Sequence, residues 1–299
     1  MLKRTIASLV AALLPAGVAL AQTADLPQRT DDNLIVATYN IKFLGQQAHD
    51  VDRLAEVIQH FDVCGIQEVK VEKAVRELAE ALEALTGHDW GYVYGVRTHR
   101  PLGTYHEAYA AVWRRDRAQL GDGLVSNVWD LEEAYRNDPF MVSFVSANGN
   151  FDFTMLLVHT RWSNDNEGTR ANEVAMLVEQ VSWMREFVNE RDWILAGDFN
   201  YSGTSSHMQN MAEALELEQV DLNEKTTFNG DASGYKSAYD HIYLSASETS
   251  EFVGPCRAMD VTTVVYGSHT QANGKRARSE LSDHLPVWAV FSTAGPDDD

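Results

Sequence analysis

The 299-residue chain has only two cysteines, Cys64 and Cys256. Two thiols so far apart make no recognisable zinc site. An exported chain would meet conditions in which they can pair. A buried free thiol in the apolar run Val63-Cys64-Gly65-Ile66 is the preferred alternative. Positive charge is also scarce: 24 Lys and Arg stand against 44 Asp and Glu, a formal net charge of −20. That balance argues against tight, non-specific capture of nucleic acid by a basic surface. It leaves room for an enzyme that holds a polyanion through a metal and a few local cations. The sequence has neither a Gly-rich nucleotide-triphosphatase loop nor a Gly-x-Ser-x-Gly elbow, so neither chemistry organises it. Past residue 20, no apolar run approaches the roughly 20 residues of a membrane span.

The N-terminus is different. Lys3 and Arg4 precede the apolar residues 6–20, and Ala19-Leu20-Ala21 has the small-x-small form of a cleavage site. Residues 1–21 therefore read as a secretory signal cut before Gln22, giving a secreted or periplasmic protein. Losing Lys3 and Arg4 takes the formal charge from −20 to −22. Residues 22–33 form a polar leader, and the acidic residues 294–299 read as a disordered tail.

Between them, apolar periodicity predicts alternating strands and helices, then mostly β-structure. Strand one covers residues 34–39 and ends at Asn40; strand two covers 63–66 and ends at Gln67-Glu68. Helices are expected at 49–61, 71–85, 172–188 and 206–215. Further strands are expected at 90–96, 109–113, 124–129, 140–145, 151–158, 192–198, 240–244, 260–265 and 286–291. No linker or repeat interrupts residues 34–293, which read as one α/β domain with more than one sheet.

The informative feature is where the polar residues fall. The apolar run 192–197 ends in Gly197-Asp198-Phe199-Asn200. Asn40, Glu68, His159 and the pair Asp240-His241 also sit at strand ends, and Ser282-Asp283-His284 precedes the last strand. Each alone has a bland reading: a turn residue, a surface charge, a satisfied histidine, a cap. Together they place carboxylates, amides and imidazoles at one end of a sheet, where α/β folds collect ligands. Carboxylates and amides with few thiols select Mg²⁺, Mn²⁺ or Ca²⁺ over zinc. Histidines beside carboxylates supply acid and base near neutral pH. The set suits metal-assisted hydrolysis by water.

Thr38-Tyr39-Asn40-Ile41, Ile66-Gln67-Glu68-Val69, Val158-His159-Thr160, Gly197-Asp198-Phe199-Asn200, Tyr239-Asp240-His241-Ile242 and Ser282-Asp283-His284-Leu285-Pro286-Val287 resemble the ordered motifs of the endonuclease/exonuclease/phosphatase superfamily. Pro101-Leu102-Gly103-Thr104-Tyr105-His106-Glu107-Ala108-Tyr109 is similar to the phosphate-contacting segment of its deoxyribonuclease I branch. The resemblance implies a four-layer α/β sandwich with two central mixed β-sheets flanked by helices. It implies that Glu68 is the main metal ligand, with Asn40 beside it or on the phosphate, and that Asp283 completes the metal site or orients its neighbours. Asp198 and Asn200 would position or activate water and contact phosphate, and His159 with Glu107 would serve as acid on the leaving group. Asp240 would pair with His284, which acts as base or holds the phosphate, the two histidine labels being exchangeable. Tyr105 and Lys70 would contact phosphate. Lys70 replaces the branch's Arg and lacks its planar fork, and Arg136 stands slightly out of register with the Arg expected before Pro139.

The implied activity is hydrolysis of DNA phosphodiester bonds with little sequence preference, dependent on Mg²⁺ (or Mn²⁺ or Ca²⁺), by a monomer without stable membrane association. The same scaffold also serves smaller phosphoesters such as phospholipid headgroups or inositol phosphates. A non-catalytic binding module is the remaining alternative.

Overall fold

The computed structural model describes residues 26–95, 107–122, 125–128, 135–162, 167–188 and 190–297. The expected signal and Tyr105 lie outside the described residues. In chain order the elements are β1 (Asn33–Leu44), α1 (Val51–Ile58), β2 (Val63–Val69), α2 (Glu72–Thr86), β3 (Trp90–Tyr94), β4 (Ala108–Arg114) and β5 (Ala118–Leu120). Next come β6 (Ser126–Asn127), β7 (Phe140–Ser146), β8 (Asp152–His159), α3 (Glu167–Arg185), β9 (Trp193–Asp198) and α4 (Ser206–Leu215). The last are β10 (Glu218–Gln219), β11 (Asp240–Leu244), β12 (Phe252–Ala258), α5 (Val261–Tyr266), α6 (Gln271–Glu280) and β13 (Val287–Ser292).

One sheet runs β12-β13-β1-β2-β4-β3 and the other β10-β11-β9-β8-β7-β5, with β6 on β7. The β1–β2 and β8–β9 pairs are parallel and their neighbours antiparallel, so both sheets are mixed. Strand side chains alternate faces, and three apolar layers follow. Val36, Val63 and Trp113 of the first sheet meet Phe144, Phe153 and Ile194 of the second. Ile35 and Ile66 face outward onto Leu54, Leu78, Val261 and Ala277 of α1, α2, α5 and α6. Leu156 and Leu195 face Leu177 and Met211 of α3 and α4. The result is helix, sheet, sheet, helix: the expected four-layer sandwich.

Local chemistry sets the ends of these elements. Asp50 and Ser205 accept the backbone N–H of Arg53 and Met208 and so cap α1 and α4. Gly87 closes α2 at φ +71°. The strand expected at 260–265 is instead α5. Its β-branched run favours a strand, but the Asp260 side chain accepts from the N–H groups of Thr262 and Thr263 and starts a helix. Within the strand expected at 124–129, Ser126–Asn127 are the described residues that pair. The leader is tied down from Leu26 onward. Leu26 packs on the core, and Arg29 pairs with buried Asp62 at 2.7 Å. Both cysteines are free and buried. No helix among the described residues is long and apolar enough to cross a membrane.

Three registers gather the polar strand ends. Asp198 lies opposite His159 on parallel β8 and opposite Asp240 on antiparallel β11, while Asn40 lies opposite Gln67. β1 does not stop at Asn40. It continues to Leu44 through a register slip, and β2 slips between Ile66 and Val69. Phe43 at φ +53° and Glu68 at φ +59° sit at these irregularities, which turn side chains out of the regular pleat. At Gly197 the chain has φ +142°, and a Cβ there would lie 2.0 Å from the Val158 carbonyl oxygen. Only glycine lets β9 approach β8 this closely just before Asp198.

Candidate active site

A cleft of about 330 Å³ opens at this end of the sandwich. Of the residues expected from sequence, Glu68, His159, Asp198, Asn200, Asp283 and His284 line it. Asn40, Glu107 and Asp240 lie directly behind its wall, essentially without solvent exposure. Phe43, Glu68 and Asn200 of this region hold positive φ. Backbone strain of that kind costs about 1–3 kcal/mol per residue and concentrates at functional sites.

Asp198 stands at the centre. Its Oδ2 accepts from Asn40 Nδ2 at 3.0 Å, and its Oδ1 from the Asn200 backbone N–H at 2.9 Å. Two imidazoles face the same Oδ2, with His159 Nε2 at 3.6 Å and His284 Nε2 at 3.7 Å. Each is oriented from behind by a carboxylate: His159 Nδ1 bonds Glu107 in a short contact, and His284 Nδ1 lies 2.8 Å from Asp240 Oδ2. Thr226 Oγ1 donates to that Asp240 oxygen at 2.6 Å. A carboxylate on Nδ1 fixes the ring and turns Nε2 to the cleft.

The charges follow from this packing. Burial opposes the charged form of His159, but Glu107, Asp198 and Glu68 outweigh it and raise its pKa to about 10. For His284, burial is likewise outweighed by Asp240, Asp198 and Asp283, and the pKa is again raised to about 10. Burial raises Asp198 to about 6, against the pull of both imidazoles.

Glu68 and Asn40 have the chemistry of a hard-cation site. Asn40 Nδ2 donates to Glu68 Oε1 at 3.1 Å, whereas the buried Asn40 Oδ1 has no hydrogen-bond partner among the described residues. Ligand atoms of Glu68, Glu107 and His159 lie within 4.8 Å of one another, as do those of Asp198, Asp240 and His284. A lone amide oxygen beside a carboxylate in an oxygen-rich cleft fits Mg²⁺, Mn²⁺ or Ca²⁺.

Two further expected residues stand outside these clusters. Asp283, expected to complete the metal site or orient its neighbours, lines the cleft and is ion-paired with Lys42 Nζ at 2.5 Å. Burial opposes its charge, yet His284 and Lys42 keep its pKa below the usual range. Lys70, expected on phosphate, is buried with its ammonium 4.8 Å from the Phe43 ring centre and is not part of the cleft lining.

Sequence reading missed Lys42, Asn137, Arg161 and Trp162, all in the cleft wall, and mentioned Arg136 only as out of register. Lys42 lies two residues past Asn40, so strand periodicity was a usable signal. Arg161 and Trp162 directly follow Val158-His159-Thr160. Asn137 carried no signal of its own.

His241 is no part of the reacting set. It is buried, with Nδ1 3.2 Å from Asp221 and Nε2 3.0 Å from the Tyr201 carbonyl. Burial opposes both charges, but each partner outweighs it, raising His241 above 6.5 and lowering Asp221 below 3.8. The histidine's contribution to stability is full below pH 6.5 and lost as pH rises through its raised value. That of Asp221 is full above pH 3.8 and lost as pH falls through its lowered value. Removing one partner of a buried pair costs about 3–5 kcal/mol. Asp221→Ala is therefore expected to lower the Tm strongly between these limits, as thermal unfolding across pH will show.

A family model described as Endonuclease/Exonuclease/phosphatase family matches residues 37–284. The chain is 29% identical over 281 residues to a deoxyribonuclease from Thioalkalivibrio sp. (strain K90mix), covering 89% of this chain and 73% of that one. The fold is similar to that of D. rerio TDP2 complexed with single strand DNA product, with a TM-score of 0.59 and 14% identity over 87% of this chain and 99% of the other. It is also similar to the Bacteroides thetaiotaomicron VPI-5482 mannosyl-6-phosphatase, with a TM-score of 0.56 and 19% identity over 86% and 98% of the two chains.

Proposed function

The chain belongs to the endonuclease/exonuclease/phosphatase family, and from that premise we propose that it is an exported, divalent-metal-dependent endonuclease hydrolysing DNA phosphodiester bonds with little sequence preference. The observation that carries the reading is the pair of carboxylate-backed imidazoles converging on Asp198 Oδ2 beside Glu68 and Asn40. The deoxyribonuclease relative supports DNA as substrate, and the N-terminal apolar run supports export.

Glu68 and Asn40 would hold the cation, which when bound neutralises phosphate charge and stabilises the charge developing in the transition state. The protein's own groups do the rest. Asp198, held by Asn40 and Asn200, takes a proton from the attacking water as its oxygen bonds to phosphorus. The bond from phosphorus to the leaving oxygen breaks, and His159 Nε2–H gives that oxygen its proton. His284 Nε2–H donates to a non-bridging phosphate oxygen, and Asp240 keeps it pointed there. Glu107 does the same for His159. Lys42 screens the phosphate charge from the Asp283 side.

The base must be ionised to work. With Asp198 raised to about 6, kcat/KM on a nucleic acid substrate is expected to rise with pH through about 6. The limb should vanish in Asp198→Asn, and a flat profile from pH 5 to 8 would assign the base elsewhere. The substrate class is tested by offering supercoiled plasmid and a panel of small phosphomonoesters and phospholipids, with Mg²⁺ or with EDTA. Open circular DNA formed only with Mg²⁺ supports the reading. An intact plasmid with rapid release of phosphate from a monoester would make the protein a phosphatase.

A further inference from the structure

Trp162 is 61% exposed and lines the cleft next to Thr160 and His159. A single exposed ring is ordinary on a protein surface; this one stands out by bordering the reacting centre. Around it the wall carries Arg136 and Arg161, and the Arg161 guanidinium lies 3.6 Å from Glu173. Arg161 follows β8 and Arg136 precedes β7, so the two guanidinium groups come from separate segments. Glu173 of α3, itself fully buried, joins those segments. One of its oxygens accepts the Arg136 backbone N–H at 2.8 Å, and the other that of Arg161 at 2.5 Å. Burial raises the Glu173 pKa, while those two amides and the Arg161 guanidinium favour its charged form. A single internal carboxylate thus ties the backbones of Arg136 and Arg161 together, with Trp162 the next residue after Arg161.

The rim has a shape and a charge. In a chain of net charge −20 it brings two guanidinium groups together, the Arg161 one paired with Glu173, beside the carboxylates Glu68, Asp198 and Asp283 of the same cleft. The reacting groups lie deeper, with His159 8% and Asp198 1% exposed. The cleft's volume of about 330 Å³ is at the small end of ligand pockets, about 300–1,000 Å³. An aromatic face stacks any base, but only a base that is out of its pair and stack offers its own face.

We propose that Arg136, Arg161 and Trp162 form a nucleotide subsite beside the scissile phosphate. It takes an unpaired base on the indole and a flanking phosphate on the arginines, and so makes single-stranded nucleic acid the preferred substrate. The subsite rests on the nuclease reading above.

The test compares kcat/KM on a short single-stranded oligonucleotide, on the same strand annealed to its complement, and on methyl p-nitrophenyl phosphate, a diester too small to reach the rim. The wild type is expected to cut the single strand faster than the duplex. Trp162→Ala is expected to lower the ratio of single-strand to small-diester kcat/KM by about 5- to 150-fold, the range of one base–aromatic stack. Trp162→Phe should recover most of it. An unchanged ratio in Trp162→Ala, or equal rates on single strand and duplex, overturns the subsite while leaving the nuclease reading standing. Turnover of small phosphoesters with neither nucleic acid cut would remove both.

Discussion

His159→Ala is expected to lower kcat on DNA by about 10²- to 10⁴-fold, the usual worth of a positioned acid or base, while the protein stays folded. The side chain makes polar contacts on both sides: Glu107 behind it on one nitrogen, Asp198 and Glu68 toward the cleft on the other. Alanine removes the proton donor and leaves the apolar layers untouched. Glu107 loses its imidazole partner, so some fall in Tm accompanies the loss while the fold is kept. The loss should depend on the leaving group. A diester with a p-nitrophenyl leaving group needs little protonation, so the variant should lose much less on it than on DNA. Equal losses on both would move His159 from protonating the leaving group to holding phosphate. A collapse in Tm would make it a structural residue.

Asp198→Asn is expected to have an effect of the same order, about 10² to 10⁴ on kcat, with a different signature. Asp198 accepts from two asparagines and faces two imidazole nitrogens. An amide there sets its own N–H₂ against donors and leaves one pairing unmade, which costs about 1–3 kcal/mol. It also removes the negative charge that helps raise both histidines. The pH profile should therefore change as well as the rate: the acid limb near 6 goes, and the alkaline limb moves down. Single-turnover rates across pH would separate this from His159→Ala, in which the acid limb persists. An acid limb retained in Asp198→Asn would contradict the role given to Asp198.

The sequence carried most of the fold and the centre of the site, for identifiable reasons. Buried strands read clearly where apolar runs end in polar residues, as at Asp198, whose strand ends where expected. Elements whose chemistry runs against periodicity did not. α5 is a β-branched run converted to helix by the Asp260 cap. α6 buries only Gly274 and Ala277, too little apolar surface to print a stripe. β12 is broken by Gly254 and Pro255 and survives at a sheet edge, where proline is tolerated. In the site, the residues with a strand-end signal came together, because registers such as His159 opposite Asp198 are set by the sheet. Lys42, Arg161 and Trp162 reach the cleft through a register slip and a loop, and Asp283 was claimed by Lys42. Lys42 stood at strand spacing from Asn40, but a pairing such as Lys42 with Asp283, 241 residues apart, leaves no spacing in the sequence.

The most direct test of the central claim concerns Glu68. Plasmid nicking by wild type and Glu68→Gln would be followed across a Mg²⁺ titration, with EDTA as the zero point. Glutamine keeps the shape and the Asn40 contact but removes the charge that would hold the cation. Saturable Mg²⁺-dependent nicking by the wild type, with the variant inactive or needing far more Mg²⁺, is the expected outcome. Equal nicking by both proteins at every Mg²⁺ concentration, or nicking that persists in EDTA, would mean that the cleft is not a metal-dependent phosphodiesterase centre built on Glu68.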